Sequence, residues 1–133
     1  MTEISKPFKI AMIVIGGIAL FYGIWWVFFT EAYYSMVGGI YEDPGALRGQ
    51  GGTLLLFGIF NLIAALRLNW EQAKYYVEFA IGWMIIMLIL NIVNLSDPNN
   101  TSTSVMMIWL NIALLAVFMA IVLYFYLQQE KKS

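Results

Sequence analysis

Apolar residues in this chain fall into four long blocks, and the charged and turn-forming residues are confined to the joints between them. Ile10 to Phe29 runs 20 residues without a charge, and Val105 to Leu127 runs 23. A helix rising about 1.5 Å per residue crosses a hydrocarbon core of about 30 Å in such a length. Gly51 to Leu66 gives 16 uncharged residues and Phe79 to Leu95 gives 17, so those two need extra turns at their ends. The pattern predicts an all-α integral membrane four-helix bundle. It forms a single four-span domain over residues 1–133, with spans at about 10–29, 45–68, 75–95 and 105–127. The first block is longer than the apolar region of a cleaved signal peptide, roughly 7 to 15 residues. It also ends in "WWVFFTEAYY", so it is expected to be retained as a helix.

Composition agrees. The chain is 62% hydrophobic and 11% charged over 133 residues. A soluble fold of this length has too little interior to hide that much apolar surface. The excess must face lipid or a partner. Net charge is −1, which leaves no basic field for nucleic acid. With no Cys and no His, disulfides, thiol nucleophiles, Ser/His/Asp arrangements, His-ligated haem and the usual zinc sites are excluded.

Four spans put both termini on one side. That side carries Lys6, Lys9, Arg67, Lys74, Lys131 and Lys132, and the other carries Arg48 with Glu31, Glu42, Asp43 and Asp97. The bias places the N and C termini in the cytoplasm, in the plasma membrane of a bacterium or archaeon. Aromatic belts suit the same boundaries: Trp25, Trp26, Tyr33, Tyr34 and Trp109 outside, and Trp70, Tyr75, Tyr76, Tyr124 and Tyr126 inside. The inner joint "RLNWEQAKYY" is brief, which makes its two flanking helices an antiparallel hairpin. Arg67 and Glu71, and Lys74 and Glu78, are each four apart and suit a helical continuation. The outer joint "SDPNNTSTS" is polar and holds glycosylation tripeptides at Asn99 and Asn100, with another at Asn94. The segment Thr30 to Asp43 is long and rich in Tyr, and is expected on the membrane surface or over the mouth of the bundle.

Helices in lipid associate by close packing, so small residues mark the seams. Gly16, Ala19 and Gly23 form one stripe, Gly51, Gly58 and Ala65 a second, and Ala113, Ala116 and Ala120 a third. The readings are packing inside the bundle and, for the first stripe, a homodimer seam.

The candidate chemistry lies near the outer end. Asp43 followed by Pro44 is a helix start, a capping residue and then proline at the first helical position. The uncharged part of this helix covers only about 24 Å. Arg48 and Gln50 are therefore expected at or just beneath the outer boundary, pointing into the protein. A charge at that depth needs a partner. Glu31 is the nearest one, and Asn91, Asn94 and Asn111 lie at similar height. The expected outer polar cluster is Glu31, Arg48, Gln50, Asn91, Asn94 and Asn111. In one reading it pins the helix tops. In the other, Arg48 holds a carboxylate or lipid phosphate, both matched by its planar fork. A second, inner set is Asn61, Glu78 and Trp83, with Glu78 either an interfacial charge near a helix N-terminus or a proton-carrying carboxylate. No catalytic residues, metal ligands or cofactor are assigned, since the carboxylates are scattered on both sides.

The stretch "LRGQGG", Leu47 to Gly52, follows an acidic and proline-containing segment at the start of the second span. With the four-span layout over nearly the whole chain, it resembles small bacterial four-helix membrane proteins, the DoxX-like proteins and related families of unknown function. The resemblance implies a four-helix bundle with Arg48 at its outer end and no settled activity. The leading functional expectation is a non-catalytic accessory or structural subunit of a larger membrane assembly, its partner another membrane protein or a second copy. The alternative is binding or transport of a small amphipathic lipid, quinone or hydrophobic metabolite at the outer cluster. An enzyme of lipid or quinone ranks third.

Overall fold

The structure, a computed structural model, describes residues 1–38 and 43–133. The described residues form five helices: α1 (Lys6–Phe28), α2 (Thr30–Val37), α3 (Pro44–Arg67), α4 (Trp70–Asn94) and α5 (Ser102–Glu130). Four of them, α1, α3, α4 and α5, are long and apolar enough to cross a membrane. The extra turns that the two short blocks need are present, since α3 has 24 residues and α4 has 25. Residues 39–42, Glu42 among them, lie outside the described residues.

Local chemistry sets the boundaries. The Asp43 side chain accepts from the Ala46 backbone N–H at 3.0 Å, with Pro44 opening α3 behind it. α3 and α4 are separate helices because Asn69 caps α4 in a reciprocal box with Gln72, leaving Leu68 extended. Lys74 and Glu78 thus lie together in α4, while Arg67 and Glu71 fall on either side of the break. Glu71 instead accepts from the Thr2 N–H at 3.0 Å, and Lys74 pairs with Glu130 at 2.7 Å. α5 opens with a second reciprocal box between Thr101 and Ser104. α1 and α2 are parted at Phe29 (φ −120°, ψ 39°). Beside that break the buried Thr30 hydroxyl bonds the Trp26 carbonyl oxygen at 2.7 Å, a back-bond that bends helices.

The long helices pair with their neighbours in the chain. α1 and α3 make the closest approach, and α4 and α5 the next. Two glycines on each of α1 and α3, seven residues apart, allow the first. A methyl added at Gly23 would lie 2.9 Å from the Gly51 carbonyl oxygen, and one at Gly58 would lie 2.8 Å from that of Gly16. Two of the small-residue stripes are thus spent inside the molecule. The third is not, because Ala113, Ala116 and Ala120 are all exposed. α3 and α4 follow one another across a two-residue joint. Those helices meet through rings, Phe57 on Tyr76, Phe79 and Trp83, rather than by close backbone approach.

The solid core lies at the end that holds the chain termini. Ile4, Phe8, Met12, Ala64, Ala65, Trp70, Ala73 and Val77 are buried there. The N-terminal segment crosses this end and is stitched down: Ser5 N–H donates to Gln129 Oε1 at 3.1 Å, Gln129 Nε2 donates to the Glu3 carbonyl at 2.7 Å, and Trp70 N–H donates to the Thr2 carbonyl at 2.8 Å. Trp70, expected in an interfacial belt, is only 1% exposed, with its Nε1 donating to Glu130 at 2.7 Å. At the opposite, loop end, α2 reaches across toward α5, where Thr101 Oγ1 donates to the Val37 carbonyl at 2.6 Å. Large apolar side chains such as Phe28, Phe60, Leu66, Phe79 and Leu127 face outward, as lipid solvation requires.

Candidate functional site

Between the α1–α3 pair and the α4–α5 pair lies a cavity of about 190 Å³, lined by all four long helices. It floors on Phe8, Met12, Val77 and Val122 and extends to Trp26, Gln50, Asn91 and Asn111 toward the loop end. Its wall is mostly apolar: Ile15, Ile18, Leu54, Met84, Met87, Leu114 and Phe118. The cavity exists because α3 and α4 are held apart by ring contacts while α1 and α3 are drawn together by glycines. It is closed below by Phe8, which stacks on Phe125 at 5.4 Å and packs on Trp70 at 5.9 Å. Gln50 and Thr53 line the cavity and are nevertheless exposed, so it opens beside α3 near the loop end.

Two polar zones face this space, and they differ in kind. In the lower zone Asn61 Nδ2 donates to the Met12 carbonyl at 3.3 Å. Tyr76 Oη meets Asn61 Oδ1 and lies 3.1 Å from the Phe57 carbonyl oxygen. These groups satisfy one another and tie α1, α3 and α4 together. In the upper zone the groups are left over. Asn91 Nδ2 donates to the Met87 carbonyl of its own helix at 2.8 Å, which leaves Oδ1 unused. Among the described residues Asn111 and Gln50 have no side-chain hydrogen bond, and the buried Trp26 Nε1 has no partner. Trp26 and Asn91 are each only 8% exposed, and the Trp26 Nε1 is sealed from water.

The expected outer cluster is therefore split. Gln50, Asn91 and Asn111 come together on the cavity. Glu31 and Arg48 do not join them; both line a separate shallow recess with Phe28, Phe29, Thr30 and Ala32. Arg48 is exposed rather than directed into the protein. The reason is its register. Leu47 and Gly51 hold the face of α3 that is buried, and Arg48 sits beside that seam at the α1–α2 joint. Among the described residues Glu31 and Arg48 form no ion pair with each other; Lys74–Glu130 is the pair formed. Asn94, the last residue of α4, is exposed, and its carbonyl accepts from Asn100 Nδ2 at 2.8 Å. Of the inner set, Asn61 and Trp83 line the cavity. Glu78 is exposed outside it and accepts from Tyr126 Oη at 2.7 Å.

Trp26 and Tyr76 are cavity residues that sequence reading assigns to the interfacial belts. A signal for Tyr76 was present: Tyr76, Ala80, Trp83, Met87 and Asn91 recur at helical spacing and all face the cavity. Among the described residues no three acidic side chains converge as metal ligands would. Comparison with protein-family models, curated proteins and solved structures finds no match to this chain.

Proposed function

We propose that the four long helices form a bundle across the plasma membrane, with both termini cytoplasmic, and that the bundle binds a small amphipathic molecule taken from the lipid. The observation that carries this reading is the cavity: apolar over most of its wall, with the amide side chains of Asn91 and Asn111 at one end. Convergent polar groups in an otherwise apolar pocket are the usual mark of a binding site. In hydrocarbon no water stands by to satisfy them. The sidedness rests on the distribution of basic residues along the sequence.

The test is purification in mild detergent followed by native mass spectrometry. Wild-type protein should carry a discrete small adduct that organic extraction removes, and Ala80→Phe, which fills the cavity, should lose it. A wild type that flies bare after gentle extraction, or an adduct indifferent to Ala80→Phe, sinks the reading.

The accessory-subunit reading is favoured by a different observation, the exposed stripe Ala113, Ala116 and Ala120 on α5. Such a stripe suits close approach of another membrane helix. A partner in fixed ratio, lost on Ala116→Leu, would support it. The two readings are compatible, since the cavity faces inward and the stripe outward.

A further inference from the structure

We infer that the cavity selects an uncharged ligand, with a buried head about one ring in size that carries both a hydrogen-bond acceptor and a donor. This rests on the reading that the cavity is a ligand site. It names the chemistry the site would take.

Charge is the first discriminator. None of the lining residues is Lys, Arg, Asp or Glu. Arg48, the cation of the loop end, stands on the other recess with Glu31. A carboxylate or phosphate inside the cavity would be stripped of water and meet no counter-charge. The carboxylate or lipid phosphate that Arg48 suggested from sequence is therefore not the cavity's ligand.

The second discriminator is the identity of the unused groups. Asn91 offers an acceptor, Oδ1, because its Nδ2 is committed to Met87. Asn111 offers both a donor and an acceptor. A neutral head with one acceptor and one donor, such as a primary amide, answers both. The Asn61–Tyr76 zone below is already satisfied and supplies no such demand.

Size is the third. An engineered cavity of roughly 150 Å³ lined by Leu, Ile and Phe holds benzene. At about 190 Å³ this one holds a single ring and its polar substituent, not a whole lipid. A longer tail leaves where Gln50 and Thr53 are exposed.

The experiment uses three probes of equal tail: 4-hexylbenzamide, 4-hexylbenzoate and hexylbenzene. Each is titrated calorimetrically into the full chain in one detergent. Wild type should bind the benzamide about tenfold more tightly than hexylbenzene, the worth of one or two hydrogen bonds, and should bind the benzoate more weakly than the benzamide. The double variant Asn91→Leu/Asn111→Leu should bring the benzamide down to the level of hexylbenzene while hexylbenzene binding stays within about twofold. Ala80→Phe and, as a second filling variant, Ala19→Leu should weaken all three. Arg48→Gln should leave the order unchanged. Equal binding of benzamide and hexylbenzene, tightest binding of the benzoate, a preference that survives the double variant, or an order altered by Arg48→Gln overturns the inference. In each of those cases the cavity reading stands if the filling variants still abolish binding. No binding of any probe overturns both.

Discussion

Gly58 shows how little space separates α1 from α3. A Cβ there would stand 2.5 Å from Leu20 Cγ and 2.8 Å from the backbone oxygen of Gly16. The side chain can rotate away, but the backbone oxygen cannot without parting the helices. Gly58→Ala should therefore destabilise the protein by about 1–3 kcal/mol, read as a lowered midpoint of thermal unfolding in detergent. Gly82 is the control, because a methyl there meets nothing within 4 Å. Gly82→Ala should raise the midpoint, gaining up to about 1 kcal/mol from helix propensity; a fall would mean that the face of α4 near Gly82 is more crowded than its neighbours indicate. Arg48 teaches the complementary lesson. Its place in the first turns of the second long helix was legible in the sequence, but its direction was not. One residue along a helix is about 100° of rotation, enough to move a guanidinium from the interior to the rim.

Among the elements, α2 and the N-terminal segment are each held by a few hydrogen bonds between residues far apart in sequence. Thr101 serves twice, capping α5 through Ser104 N–H at 3.0 Å and donating to Val37 at 2.6 Å. Thr101→Val should cost about 0.5–2 kcal/mol. It should also speed amide hydrogen exchange in α2 as well as at the start of α5. Exchange that quickens in α5 alone would mean that α2 is held by something else. At the other end, Gln129 is 1% exposed and bonds both Ser5 and Glu3. Gln129→Leu strands both backbone groups, at about 1–3 kcal/mol. Protease should then reach residues 1–5 while the long helices stay protected. The ends of these helices were readable in advance at Asp43 and Pro44, where the capping chemistry is local. The break at Leu68 was readable too, from the polar joint, although the pair Arg67–Glu71 fits a continuous helix. Asn69 with Gln72 tips the balance toward a stop.

For the whole molecule, the absence of Cys makes sidedness directly measurable. Single cysteines at Asn99 and Ser133 should be labelled from opposite faces by an impermeant thiol reagent. Intact cells should label Asn99→Cys alone, and Ser133→Cys should react only after lysis. Labelling of both from outside refutes the proposed orientation. The sequence alone determined four helices long and apolar enough to cross a membrane, because run length and polarity are properties of contiguous residues. Where helices begin was also largely local. Which helices embrace was decided only in three dimensions. α1 takes α3 through facing glycines, and rings hold α3 off α4, since both outcomes depend on side-chain fit between residues dozens of positions apart. The same fit hollowed the cavity, satisfied Asn61 and Tyr76, left Asn91, Asn111 and Trp26 wanting, and turned Arg48 away from them.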